Sequence, residues 1–217
     1  VANSSDDFNR DISGGLNGST SSSGHTWTRQ TGFSGSIVSA ASNTRITGSA
    51  GVDYAAHYLN CDPASADYKA GLDLTGTASG ARTLSVAIRM SKSANTSDRV
   101  FWRDSESHWE FREYIAGTES TLASDATNSP VTNAGTLEIV ASGTGMTATY
   151  KGSTLFGGSV TVGVSAAGVA GVFSGDDLNC TADNFYQTDT AAAGRTTKNS
   201  RSWNLGRSIG MGLRMPI

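Results

Sequence analysis

Helical periodicity is nearly absent from this 217-residue sequence, and so is most of what accompanies it. Hydrophobic residues make up only 37%, charged residues 16%, and proline occurs three times. A helical bundle is therefore excluded. No apolar run approaches the roughly 20 residues needed to cross a bilayer as a helix, so no membrane partner is expected. Residues 1–10 are polar and acidic, unlike the charged-then-apolar opening of a secretory signal. Cysteine is scarce as well. Cys61 and Cys180 each close a Leu-Asn-Cys triplet and belong to no CxxC pair, which argues against a zinc site and leaves one disulfide or two buried thiols as alternatives.

What is abundant is glycine, at 26 residues, together with serine and threonine. Short apolar or alternating stretches recur between Gly, Asn, Asp and Ser, the pattern of strands and turns. Candidate strands cover 27–30, 36–40, 44–47, 55–60, 68–75, 84–90, 99–103 and 109–116. They continue over 120–123, 136–141, 146–150, 160–164, 169–173 and 183–188. About fourteen strands in under 190 residues make a two-sheet antiparallel sandwich. The formal charge of −3 is divided unevenly. Residues 191–217 hold Arg195, Lys198, Arg201, Arg207 and Arg214 and no acid, leaving eleven bases against nineteen acids before them. An acidic body of −8 thus precedes a basic tail of +5.

The opening Asp6-Asp7-Phe8-Asn9-Arg10, then Gly14-Gly15-Leu16, Trp27 and Thr28, resembles the start of concanavalin-A-like, laminin-G-like jelly-roll domains. Trp109-Glu110-Phe111-Arg112 followed by Gly117-Thr118 and Leu122-Ala123 resembles a hairpin of these modules. The stretches 136–140 and 146–150, closing on Lys151-Gly152, resemble the next, with Lys where the family often has Asn or Asp. Ala182-Asp183-Asn184-Phe185 is similar to the family's closing strand. The resemblance covers residues 6–188 and implies that the closing strand pairs with the opening one. It implies no single activity, because lectins, lyases, hydrolases, adhesion modules and virion proteins share such folds.

The sites must therefore speak for themselves. A retaining glycosidase needs two carboxylates about 5–5.5 Å apart. The Glu-x-Asp-x-x-Glu strand of sandwich hydrolases is missing. Glu106, Glu110 and Glu113 come nearest, but Glu110 and Glu113 lie three apart and face opposite ways, so the chain reads as no enzyme. His25, His57 and His108 fall in separate segments and read as surface or edge histidines. Asp6, Asp7, Asp176, Asp177 and Asp183 could gather around calcium, yet turn and strand-end aspartates explain them too; no metal and no cofactor are expected. Phe101, Trp102, Trp109, Phe111 and Tyr114 concentrate aromatic surface, with Trp102 and Tyr114 as the candidate sugar-stacking pair. Lys92, Arg99, Arg103 and Arg112 are interleaved with acids, which excludes a nucleic-acid groove.

The strongest single pattern is C-terminal. Trp203, Leu205, Ile209, Met211, Leu213, Met215 and Ile217 share one face of a strand, with Arg207 the exception and Arg201 and Arg214 adding charge. We read residues 1–190 as the jelly-roll domain, 191–202 as a flexible basic linker and 203–217 as a strand-forming arm. An apolar strand outside the sandwich calls for a covering chain. The expected role is a virion structural protein on the outer surface of the particle, a capsid decoration, cement or minor head or tail subunit. The arm would bind other virion proteins, the major capsid protein or a second copy, in an oligomeric assembly. The alternative is an extracellular carbohydrate-binding or adhesin module, on a tail fibre or cell surface, whose partner is a surface glycan.

Overall fold

A computed structural model describes residues 3–39, 46–48, 54–74, 84–103, 106–127, 134–163, 166–175 and 180–190. The first strands are β1 (Asn3–Asp6), β2 (Trp27–Arg29), β3 (Ile37–Ser39), β4 (Ile46–Gly48), β5 (Ala55–Leu59), β6 (Tyr68–Leu74), β7 (Leu84–Met90) and β8 (Ser97–Arg103). They are followed by β9 (His108–Ile115), β10 (Thr118–Asp125), β11 (Gly135–Ser142), β12 (Gly145–Tyr150), β13 (Ser153–Thr161), β14 (Val169–Ser174) and β15 (Ala182–Asp189). They form an all-β jelly-roll sandwich of two antiparallel sheets. One sheet has eight strands, in the order β13-β12-β11-β6-β15-β4-β3 with β1 also on β15. The other has seven, in the order β10-β9-β8-β7-β14-β5-β2. The linker 191–202 and the arm 203–217 lie outside the described residues.

Alternation builds the eight-stranded sheet as expected. On β11 and β12, Leu137, Ile139 and Ala141 and then Met146, Ala148 and Tyr150 point inward, while their neighbours stay half-exposed. The turns between strands also follow from residue type. Lys151 and Gly152 have φ of 53° and 78°, and Ala116 and Gly117 have 48° and 91°. Both central residues are thus positive, the geometry that lets two-residue hairpins match strand twist. Lysine and alanine occupy the first place in these turns, where glycine or asparagine is the easier choice.

Asp6 shows why the opening motif holds its residue types. It is fully buried, and its carboxylate accepts bonds from both Arg10 guanidinium nitrogens at 2.5 and 2.7 Å and from Trp27 Nε1 at 2.6 Å. Trp27 in turn stacks between Phe8 and Phe185, at 5.8 and 5.0 Å. A carboxylate so satisfied is a structural knot. Its guanidinium partner already supplies the positive charge that calcium would bring, and Asp176 and Asp177 lie outside the described residues. β1 pairs antiparallel with β15, Asn3 opposite Thr188 and Asp6 opposite Phe185, as the resemblance implied.

The seven-stranded sheet departs from simple alternation. β5, β7 and β14 are buried along their whole length, because both sheet faces are covered. Inside lies the main core, and outside a second apolar layer of Ala56, Tyr58, Ala87, Met90, Phe101, Val169 and Phe173, with Phe33 packed on it. Cys61 and Cys180 are buried thiols and are not bonded to each other.

Candidate functional site

Three adjacent strands, β8, β9 and β10, carry charged side chains on the outer face of the seven-stranded sheet. Register sets Arg103 opposite His108, Phe101 opposite Glu110, Arg99 opposite Arg112 and Ser97 opposite Tyr114. On the far side of β9, Tyr114 faces Glu119 and Arg112 faces Thr121. Every second residue of β9 from His108 to Tyr114 therefore faces out, while Trp109 and Phe111 fill the core.

These side chains join into one ladder of alternating sign. Arg103 Nη1 lies 2.8 Å from Glu106 and 3.3 Å from Glu110. Arg112 reaches Glu110 at 2.7 Å with one nitrogen and Glu119 at 2.6 Å with the other. Arg99 closes the row against Glu119 at 3.4 Å. At that end the guanidinium is wrapped by rings, its carbon 4.2 Å from the centre of Phe173, 4.5 Å from Tyr114 and 5.7 Å from Phe33. Arg99, Glu110 and Arg112 are buried at 1%, 3% and 9% exposure, whereas Glu106 is open to solvent. Burial alone would raise the Glu110 carboxyl, but bonds from His108 and the charges of Arg112 and Arg103 outweigh it and hold it below its ordinary value.

Glu106, His108 and Glu110 place their ligand atoms within 4.8 Å of one another, the reach of a cation site. Glu110 shares the strand face of His108 two residues on, and Glu106 reaches it from the turn before β9; the expectation of an isolated His108 is corrected here. The donor set nonetheless does not fit a dication. Both glutamates already hold a guanidinium, and a metal would have to displace Arg103 and Arg112 at a cost in charge repulsion.

Trp102 corrects the sugar-stacking expectation. It is 2% exposed and packs edge-on against Trp109 at 5.6 Å inside the sandwich, because its odd-even position sends it inward with Val100. Tyr114 does face out, half-buried against Arg99. His57 is another correction. It is buried in β5 rather than at a surface, and burial, then the Arg29 charge, push its imidazole down to about 4.

Glu110 and Glu113 stand on opposite faces, as their spacing demanded. Glu113 pairs inside the sandwich with Asp98, which is fully buried. Burial and then the Glu113 charge raise Asp98 to about 7, against the opposing pull of Arg89. This carboxyl pair is enclosed between the sheets, out of a substrate's reach. At one end of the sandwich a cavity of about 360 Å³ is lined by Asp62, Arg89, Lys92 and Gly168 among others, and a 2.7 Å ion pair joins Lys92 to Asp62 at its rim. The arm residues Trp203, Leu205, Ile209, Met211, Leu213, Met215 and Ile217, with Arg201, Arg207 and Arg214, lie outside the described residues.

No family model matches the chain, and no curated protein matches it. Solved structures do. The carbohydrate-binding module CBM66 from Bacillus subtilis superposes with a TM-score of 0.59 at 16% identity, over 75% of this chain and 95% of that one. The exoplasmic/lumenal domain of VIP36, in its Ca²⁺/Man-bound form, gives 0.55 at 11% identity over 80% and 87%. A Bacillus licheniformis β-glucanase gives 0.55 at 9% identity over 88% and 99%. At these identities the likeness establishes the fold, which sugar binders and a glucanase share.

Proposed function

We propose that this chain is a non-catalytic glycan-binding module that works outside the cell. Its binding surface is the outer face of β8, β9 and β10. The observation that carries this reading is the ladder of alternating guanidinium and carboxylate groups ending on Tyr114. A sugar hydroxyl both donates and accepts, so two neighbouring hydroxyls can span a carboxylate and the guanidinium beside it where the ladder reaches solvent, at Glu106 with Arg103 and at Glu119 beside Tyr114. The ladder is held in place before any ligand arrives, which lowers the ordering cost of binding. Tyr114 offers an apolar ring surface at its end. The likeness to CBM66, a carbohydrate-binding module, and to the mannose-bound VIP36 domain supports the same reading.

The test is a glycan array probed with the full chain, followed by calorimetry on the best ligand. Arg112→Met and Tyr114→Ala are each expected to weaken binding about tenfold, equivalent to about 1.4 kcal/mol. No retained glycan, affinity indifferent to both changes, or turnover of the bound glycan would overturn the proposal.

The apolar alternation from Trp203 to Ile217 favours a second reading, a virion subunit anchored by strand addition to a neighbouring virion protein, the major capsid protein or a second copy. That reading expects Ile209→Asp with Leu213→Asp to abolish particle attachment. Attachment unchanged by the pair, measured by co-sedimentation, would end it.

A further inference from the structure

The opposite face of the sandwich carries a feature that the ladder does not explain. On the outer face of the eight-stranded sheet, register draws one row across six strands: Ser5, Tyr186, Gly71, Glu138, Thr149 and Thr154. Tyr186 does not stand up from this row. Its ring lies down over Gly71, so close that a Cβ at position 71 would sit 2.4 Å from ring carbon Cζ. Only glycine leaves that seat. The hydroxyl bonds Glu138 Oε2, which also accepts from Lys69 Nζ at 2.9 Å, and that ammonium stands 5.8 Å from the ring centre. Burial, then Glu138, hold the phenol protonated well above its ordinary range. One face of the ring is spent on Gly71, and the side chain is half-buried, with part of it open to solvent.

The surroundings are polar and built. A hollow of about 340 Å³ opens beside the ring, lined by Ser5, Asp7, Ser22, Asn184 and others. Asn184 has φ of 51° at a shift in the β15 register, and its amide donates to Asp73 Oδ2 at 3.0 Å. A flat aromatic ring with acids, amides and hydroxyls around its edge matches a pyranose, whose C–H face carries partial positive charge and whose rim carries hydroxyls.

We propose that Tyr186, seated on Gly71, is a second saccharide subsite that takes a single hexopyranose unit, on the face opposite the ladder. The ring supplies stacking. Glu138 and Lys69 on one side, and Asn184 with the hollow's polar rim on the other, supply hydrogen bonds. The inference shares its ligand class with the glycan-binding reading and nothing else, since no residue is common to the two faces. A module with two such faces can bridge glycan chains or grip one wrapped around its edge.

The test uses the full chain and the methyl glycosides of glucose, galactose and mannose, followed by two-dimensional amide NMR. Saturable shifts at Gly71, Glu138 and Tyr186 are expected with at least one of them. Tyr186→Ala should weaken that binding about tenfold, while Tyr186→Phe, which keeps the ring, should hold it to within about threefold. Tyr186→Leu still covers Gly71 but has no π face, and it should lose binding as the alanine variant does. No saturable shift around Tyr186 with any of the three sugars, or unchanged affinity in the leucine variant, would overturn the proposal. Arg112→Met separates the two faces. There the Tyr186 shifts should persist while those at Tyr114 weaken; in the unmodified chain, shifts at Tyr186 beside a silent Tyr114 sink the ladder alone, and the reverse pattern sinks this subsite alone.

Discussion

The two outer faces of the sandwich solve the same problem in opposite ways. The eight-stranded sheet shows solvent a half-exposed field of threonine and serine, with one tyrosine laid flat on a glycine. The seven-stranded sheet buries its outer face under a second apolar layer and a ladder of paired charges. The first face is tolerant, because each side chain keeps its water. The second is demanding, because removing one member strands a charge that has already left water. Sequence changes of the same chemical size should thus have very different effects on the two faces.

The largest effect belongs to the core between them. Trp102→Ala should cost about 3–5 kcal/mol in urea unfolding, by loss of its packing against Trp109 and the cavity left behind. A cost near zero would return Trp102 to the surface. Next comes the ladder: Arg112→Ala leaves Glu110 and Glu119 without their shared cation, and a loss of about 3 kcal/mol is expected. If the charged face were as tolerant as the other, this loss would fall below about 1 kcal/mol.

A pH profile sharpens the comparison. Asp98 is raised from 3.8 to about 7, so the folded chain holds its proton where the unfolded chain does not. Its contribution is full below pH 4 and is lost as pH rises to about 7. His57, lowered from 6.5 to about 4, does the reverse: it is neutral in the fold, and its contribution is full above pH 6.5 and is lost as pH falls to about 4. The two slopes oppose each other in the same window. Asp98→Asn should leave stability rising with pH between 4 and 6.5, and His57→Gln should leave it falling. Identical profiles for both variants, from denaturation at fixed pH steps, would show that neither group is buried as described. The smallest effect is expected on the tolerant face, where Lys69→Met removes a part-exposed pair with Glu138 and should change stability by less than about 1 kcal/mol.

How much of this could be read from residues alone varied from strand to strand. The β9 hairpin, the closing turn at Lys151-Gly152 and the β1–β15 closure were legible, since alternation, turn chemistry and motif order are local signals. β1 itself reads Asn-Ser-Ser-Asp and has no apolar residue to announce a strand; pairing with β15 makes it one. β13 begins at Ser153 rather than 160, because glycines within it mask its edge pairing with β12. On β8, both faces are buried, so alternation cannot tell Phe101 from Trp102, and the two point opposite ways. Two of the ladder's acids, Glu106 and Glu110, stand at two-residue spacing around His108, whereas Phe33 on Arg99 joins residues sixty-six apart and leaves no local trace. Tyr186 leaves no local signal for the same reason, since its seat on Gly71 exists only once β15 lies beside β6.

The pairing of β1 with β15 sets how the body responds to a pull. Asn3 and Thr188 are cross-strand neighbours, so the chain enters and leaves the sandwich side by side. Tension applied through both ends would load the four β1–β15 residue pairs one after another, like a zipper, instead of shearing them together. The Asp6 knot, with Arg10 and Trp27, stands at the inner end of that zipper, and peeling stops there until the carboxylate is torn from both partners. The sandwich would yield its first strand easily and its core reluctantly.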